Sequence, residues 1–316
     1  MEASAHLPVS FAEHWEDVRL WRVLGRLDPG FYVDVGAMDP SWDSVTRAFY
    51  ERGWSGLDVE PNPYFAERLR SERSRDRVEE VAAGERRGEA TLHVVTSSAG
   101  EQTGLTTLDA AIAERHAREG GWVTEAVVDV VPLAELMAGS PAEDPSRFHF
   151  LKVDVEGHEP AVLAGAELER FRPLVVLVEA RAPRQAIDTY AESEEILGRA
   201  GYAMAADDGL NRWYVRSEDA GLAEVLAPEM NPLLDGVPRR GWELDREKEL
   251  VARMEELDAA CRASSEEADR LRQEAEASRQ EAEILRASYD TVVRSRSWRM
   301  TAPLRALSRA FHRPSS

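Results

Sequence analysis

The 316-residue chain has a single cysteine, Cys261. That excludes an intrachain disulfide and any cysteine-rich metal site, and it fits a reducing cytoplasm. No stretch approaches the ~18 uninterrupted apolar residues that a membrane span needs. The start lacks the basic segment followed by an apolar one that marks a secretory signal. The loop Gly36-Ala37-Met38-Asp39-Pro40-Ser41 keeps only the first glycine of a G-x-G-x-x-G dinucleotide pattern, and no Walker-type G-K-[ST] occurs anywhere. Asp39 in that loop would repel a phosphate.

Basic charge is also scarce: 39 Lys and Arg stand against 59 Asp and Glu, a net charge of -20. The deficit is uneven. From Arg294 to the end there are six arginines and no acid, which leaves 33 basic against 59 acidic residues, or -26, before that point. Such a body repels nucleic acid and anionic lipid, whereas a tail at +6 does not. No nucleic-acid partner is expected.

The 43% hydrophobic fraction suits a soluble protein with one sizeable core and an appendage. Phe11, Trp15, Val18, Trp21 and Leu24 recur at helical spacing and predict an N-terminal helical segment over 1–28 that packs on the core. Strand-like runs follow at 31–35, 55–60, 78–82, 90–95 and 127–131. Helices are expected near 107–118 and over Leu133 to Met137. "FHFLKVDV" (148–155) and "LVVLVEA" (174–180) are continuous apolar runs typical of strands covered on both faces. A helix over Glu159 to Leu168 makes them a parallel crossover pair. After a helix near Glu192 to Ala200, "GYAMAADDGLNRWYV" predicts a closing hairpin that turns at Asp208-Gly209. The sum is an α/β doubly wound sheet over 29–220, then a linker over 221–240.

In open α/β sheets ligands bind beyond the carboxyl ends of the strands, near the point where strand order reverses. Asp34 and Glu60 fall there, with Gly36 between them. Glu60 can accept hydrogen bonds from both hydroxyls of a ribose, and Asp34 can hold an ammonium directly or through water. A ligand with a ribose and a positive charge but no phosphate fits, and S-adenosylmethionine is such a molecule. The competing reading has both acids capping helices or turns.

Four ordered segments carry a more specific signal: "EDVRLWR" (16–22), "VDVGAMDPSWDSVTRAFYERGWSGLDVEPNP" (33–63), "FLKVDVEGHEPAVLAG" (150–165) and "DGLNRWYV" (208–215). Together the sequence from about 10 to 216 resembles the FkbM family of S-adenosylmethionine-dependent methyltransferases. The resemblance implies a class I methyltransferase (Rossmann-like) fold and O-methylation, often of sugars in polysaccharide or natural-product pathways. By motif position it makes Asp34 and Gly36 the first cofactor motif and Glu60 the ribose acid, with Ser44 at a helix start and Asn62 as lesser cofactor contacts. A second glycine common after the first motif is missing here, where Pro40 or Ser41 falls. That leaves the roles of Asp39 and Ser44 open. Residues 97–126 read as a lid that selects the acceptor.

Methyl transfer from a sulfonium requires alignment of an oxygen and removal of one proton. "KVDVEGHE" suits both tasks. Lys152, Asp154 and Glu156 alternate along a strand and share a face, and Gly157 turns the chain so that His158 and Glu159 reach the rim. Asp154 is a base or an orienter of the hydroxyl, Glu156 binds a second hydroxyl, and Lys152 keeps the carboxylates ionised. His158 is either the base, by its unperturbed pKa, or a helix-start residue. A Mg2+ ion on Asp154, Glu156 and Glu179 ranks below a metal-free mechanism, because Lys152 already supplies positive charge. Thr106, Thr107, Asn211 and Arg212 match family motifs whose polar side chains suit a hydroxyl-rich acceptor. Loop capping is their alternative role.

After Pro238 the texture turns to Glu, Arg, Ala, Gln and Ser. A 3-4 spacing runs through Leu250, Met254, Leu257, Cys261, Ser264, Ala268, Leu271, Ala275, Ser278, Ala282, Leu285, Tyr289 and Val292. This predicts a weak coiled coil over 241–293, dimeric at most, against the alternative of a single solvated helix. In the tail, 294–316, Met300, Leu304, Leu307 and Phe311 share one helical face and Arg305, Arg309 and Arg313 another. A basic amphipathic helix docks on anionic membrane, on a glycan-assembly complex or on the chain's own acidic body. The expected function is thus methylation of a sugar hydroxyl at the inner face of the cell membrane. Methylation of a small natural-product hydroxyl and an inactive methyltransferase-like scaffold are the alternatives.

Overall fold

The computed structural model describes residues 9–180, 190–231, 235–236 and 239–303. Its strands are β1 (Val9–Ser10), β2 (Phe31–Val35), β3 (Ser55–Val59), β4 (Arg77–Glu79), β5 (Ala82–Gly84), β6 (Gly88–Thr96), β7 (Trp122–Pro132), β8 (Phe148–Val153), β9 (Val175–Glu179), β10 (Tyr202–Asp207), β11 (Asn211–Arg216) and β12 (Arg239–Arg240). Its helices are α1 (Glu16–Leu24), α2 (Arg47–Tyr50), α3 (Pro63–Glu72), α4 (Ala110–Arg118), α5 (Leu133–Met137), α6 (Glu159–Ala164), α7 (Tyr190–Arg199), α8 (Ala223–Leu226), α9 (Gly241–Arg294) and α10 (Arg296–Met300).

Seven strands form one sheet in the order β10-β11-β9-β8-β2-β3-β4. From β9 to β4 all neighbours are parallel, while β11 runs antiparallel to β9 and to β10. β2, β3, β8 and β9 are buried on both faces, as their uninterrupted apolar runs require. Along β2 to β4 the chain steps one way across the sheet, and along β8 to β9 it steps the other. The topological switch therefore lies between β2 and β8.

The two faces carry separate cores. On one, Val33, Val35, Leu57, Leu151, Val153 and Val178 meet α5, α6 and α7. On the other, Tyr32, Phe150, Leu177 and Trp213 meet Leu20, Trp21 and Leu24 of α1 and Phe49 of α2. Phe49 sits 5.0 Å from both Trp54 and Phe150, so large rings anchor α2 beside the switch. The period-2 alternation then decides where the polar residues go. Asp34 shares the face of Tyr32, Asp58 the opposite face to Leu57 and Val59, Lys152 the face of Phe150, and Glu179 the face of Leu177.

Three sequence expectations change. The helix predicted from Phe11 onward begins only at Glu16, because Asp17 collects the Ser10 hydroxyl and the Phe11 N–H at 2.7 Å each and the chain turns at Glu13 and His14 before it enters the helix. The single strand expected at 78–82 is two: β4 closes the main sheet, and β5 belongs to a second one of order β5-β7-β6. There β6 and β7 pair antiparallel over nine positions and reach 88–96 and 122–132, longer than their periodicity indicated. The closing hairpin stands where predicted, with Gly209 at φ 95° in its turn.

The chain divides into two compact units, residues 1–244 and 245–316. Most of the second is the 54-residue α9 from Asp245 onward, with Leu250, Met254, Leu257, Leu271, Leu285, Tyr289 and Val292 exposed. Ion pairs at three- and four-residue steps, such as Arg270 with Glu267 and Glu274, brace it. The tail residues Leu304, Arg305, Leu307, Arg309, Phe311 and Arg313 lie outside the described residues. Among the described residues no helix is long and apolar enough to cross a membrane.

Candidate active site

The residues at the switch are assembled by register. Asp34 is paired laterally with Asp58 on β3 and with Lys152 on β8. The Lys152 ammonium lies 3.2 Å from Asp34 Oδ1 and 3.3 Å from Asp154 Oδ2, and it donates to the Gly36 carbonyl at 3.1 Å. Burial opposes the charge on Lys152, but Asp34 and then Asp154 outweigh it and hold the pKa above its ordinary value. Asp34 is buried, and its Oδ2 accepts from the Thr46 hydroxyl at 3.2 Å. Lys152 thus occupies the place where a direct salt link from Asp34 to a ligand ammonium was expected.

Gly36 turns the chain over this ion pair at φ 77°. A Cβ there would lie 1.7 Å from the Asp154 carbonyl oxygen, so no other residue allows so close a crossing. Beyond the turn, Glu60 is buried, and each of its carboxylate oxygens accepts one backbone N–H: Met38 at 2.9 Å and Asn62 at 2.8 Å. Burial pushes its pKa up to about 7 against the pull of those donors. Asn62 caps α3 by accepting from the Tyr64 N–H at 3.1 Å, and its amide donates to Gln102 in the 97–126 segment at 3.0 Å.

Ser44 was expected at a helix start. α2 instead follows Thr46, and the Ser44 hydroxyl accepts from Arg73 at 2.6 Å. Arg73, 1% exposed, also donates to Thr46 and to the Pro40 carbonyl, clamping the loop from beneath. Nothing in the sequence marks Arg73, which sits in a run of surface-like charges. Asp39 caps the Ser41 and Trp42 N–H groups and pairs with Arg68. Both residues therefore hold the loop's shape.

Past β8, Asp154 is partly exposed, and Glu156 and Glu179 are buried. One carboxylate oxygen from each of the three lies within 4.8 Å of the others. Glu156 takes φ 55°, a left-handed conformation fixed by the Thr107 hydroxyl, which donates to the Glu156 carbonyl at 2.7 Å. Burial first, then Asp154 and Glu159, raise the Glu156 carboxyl to about 8; burial and the same neighbours, with Glu156, push Glu179 to about 11.

The remaining candidates are less central. Thr107 spends its hydroxyl on Glu156 and on the Asp109 N–H, and so shapes the site. Thr106 Oγ1 is buried with no hydrogen-bond partner among the described residues. His158 precedes α6 without capping it; burial lowers its pKa, and the charge that bears on it is Asp109, not the carboxylate cluster. His158 lines a separate groove of about 430 Å³ with Glu85, Glu192 and Arg199. Asn211 donates to the buried Glu16 at 2.9 Å, and Arg212 is tied to Asp207 and Glu194. Both serve the β11 framework.

The model of the methyltransferase FkbM domain matches residues 34–204, more than half of the chain. Among solved structures the chain is similar to methyltransferase FkbM from Methylobacillus flagellatus KT, at 19% identity over 66% of this chain and 48% of that one, with a TM-score of 0.38. It is similar to monomeric WbdD at 10% identity, covering 63% and 38%, with a TM-score of 0.34. Magnesium protoporphyrin IX methyltransferase (ChlM) from Synechocystis PCC 6803, a structure with bound SAM, gives 11% identity, 63% and 76% coverage and a TM-score of 0.34. The chain spans about half the length of the first of these. No curated protein sequence matches it. By the match over residues 34–204, the chain belongs to the methyltransferase FkbM domain family.

Proposed function

We propose that the chain binds S-adenosylmethionine at the sheet's switch point and methylates a sugar hydroxyl held at the Asp154, Glu156 and Glu179 carboxylates. The observation that carries this reading is the placement of Glu60. It stands at the carboxyl end of β3 beside the Gly36 turn, and each of its oxygens accepts one N–H, which leaves each a lone pair for a ribose hydroxyl. The loop offers no basic phosphate site, in keeping with a nucleoside that has none. When bound, S-adenosylmethionine supplies an electrophilic methyl group on a sulfonium.

The chain's own residues then have three tasks. Gly36 brings the backbone close, Glu60 orients the ribose, and Lys152 bridges Asp34 and Asp154 at the floor. Asp154 can accept hydrogen bonds, and the raised pKa values of Glu156 and Glu179 let their carboxyls donate as well as accept, so the cluster suits a ligand whose groups do both, as the hydroxyls of a sugar diol do. Asp154, with a side chain 39% exposed, is the member of the cluster an acceptor reaches and the first destination of its proton. The exposed seam of α9 pairs with the seam of a second copy. Sedimentation equilibrium of the full chain should give a dimer that Leu271→Asp with Leu285→Asp converts to a monomer.

Transfer of tritiated methyl from S-adenosylmethionine to a panel of bacterial oligosaccharides and small-molecule alcohols tests the reading. Label should appear on the carbohydrate fraction and be lost in Asp154→Asn. Label only on non-sugar alcohols would replace the substrate class, and none on any acceptor would remove the activity.

A further inference from the structure

The carboxylates of Asp154, Glu156 and Glu179 come from three backbone positions, the end of β8, the turn after it and the end of β9, and still bring one oxygen each within 4.8 Å of the others. Clusters of this kind ordinarily carry a counter-ion. Of the three, Lys152 reaches only Asp154, its other contacts being Asp34 and the Gly36 carbonyl, and Arg115 acts on Glu156 more weakly than Asp154 and Glu159 do.

The more informative atom is Glu156 Oε2. Glu156 is 8% exposed, and this oxygen is buried without a hydrogen-bond partner among the described residues. A buried carboxylate oxygen is rarely left so. The backbone around it is arranged to keep it there. Thr107 and the Gly157 turn at φ 105° hold Glu156 in its left-handed conformation, with its side chain among the other two acids. Glu159, the fourth acid nearby, has its Oε1 taken by the Val155 and Gly157 N–H groups and acts on the cluster through its charge.

We propose that Asp154, Glu156 and Glu179 form a site for one hard divalent cation, Mg2+ or Mn2+, whose open positions receive the acceptor's oxygens. Three carboxylate oxygens and no nitrogen or sulfur ligand are the donor set such ions take. Oxygens around a six-coordinate Mg2+ lie roughly 3 to 4 Å apart, from metal–oxygen distances of about 2.1 Å, so small side-chain rotations close the observed spacing. Asp154, with its side chain 39% exposed, opens the site to solvent, which leaves room for water or for two neighbouring hydroxyls. The proposal departs from the order of preference read from the sequence, because Lys152 reaches Asp154 but neither Glu156 nor Glu179, and a cation would take the place of their protons. The cation site stands on these three residues alone; the part about acceptor oxygens rests on the methyl-transfer reading.

Titration of metal-stripped full-length protein with Mn2+, followed by electron paramagnetic resonance, tests it. One Mn2+ per chain should bind, and Glu156→Gln and Glu179→Gln should each weaken it at least tenfold. Failure of the wild type to take up Mn2+ at 10 mM, or undiminished binding in both variants, would overturn the site. Should a variant not fold, thermal unfolding of the wild type decides: Mn2+ should raise its Tm relative to tetramethylammonium chloride of equal ionic strength, and no rise overturns the proposal. S-adenosylmethionine is titrated separately into the stripped protein. Loss of that binding with Mn2+ binding intact would remove the methyl-transfer reading and keep the cation site, and the converse result would remove only the site.

Discussion

Replacing Lys152 by methionine tests the ion pair on which the switch point is built. The substitution keeps the volume of the side chain and removes its charge, leaving Asp34, whose side chain is 2% exposed, with the Thr46 hydroxyl as its one hydrogen-bond donor among the described residues. Stripping one partner from a buried pair costs about 3–5 kcal/mol, because the other charge stays desolvated and unanswered. For a folded unit of this size each kcal/mol shifts Tm by roughly 2–4 °C, so the single variant should melt roughly 6–20 °C lower. Asp34→Asn in the same chain removes the orphaned charge, and Lys152→Met/Asp34→Asn should recover at least half of the deficit. Urea and thermal unfolding of the wild type, both single variants and the double variant form a complete cycle. A single-variant loss under ~1 kcal/mol, or a double variant no better than Lys152→Met, would show that the pair does not hold the floor of the site.

Gly36→Ala should fold poorly and bind S-adenosylmethionine weakly, since left-handed backbone costs roughly 1–2 kcal/mol for a residue with a Cβ and that Cβ would press on the Asp154 carbonyl; native affinity in calorimetry would refute the close crossing. Glu60 titrates near 7, and its ionised form accepts from ribose, so S-adenosylmethionine should bind about tenfold more weakly at pH 6 than at pH 8; a flat profile would refute the role. The same raised pKa gives the ligand-free protein a stability contribution that is complete below about 4.5 and lost as pH rises through about 7, an effect of about 3 kcal/mol. Ligand protection against urea should therefore grow across that interval.

The main sheet was legible because β2, β8 and β9 are covered on both faces and leave unbroken apolar runs, and because the hairpin after them turns on Asp208-Gly209. The second sheet was not. β4 and β5 are three residues each with only two between them, too short for periodicity to show that the chain changes sheets. Phe11 and Trp15 keep helical spacing with Val18 yet lie outside α1, because a side-chain contact from Asp17 overrides local pattern. At the site, Asp34, Gly36, Glu60 and Asp154 could be found from strand ends and turns alone. Thr46 and Arg73 could not: their contribution is to meet beneath the loop across 27 residues of sequence, which no spacing encodes. Lys152 was visible but its allegiance was not. Alternation along β8 places it on the face of Asp154, and only the neighbouring strand shows that Asp34 shares it.

Calorimetric titration of S-adenosylmethionine into wild-type protein and Glu60→Ala, each shown to be folded by circular dichroism, bears most directly on the pocket. The wild type should take one molecule per chain, and Glu60→Ala should lose at least tenfold in affinity as two ribose contacts disappear. Equal affinity in the two proteins, or no uptake by the wild type at millimolar concentration, would contradict the account.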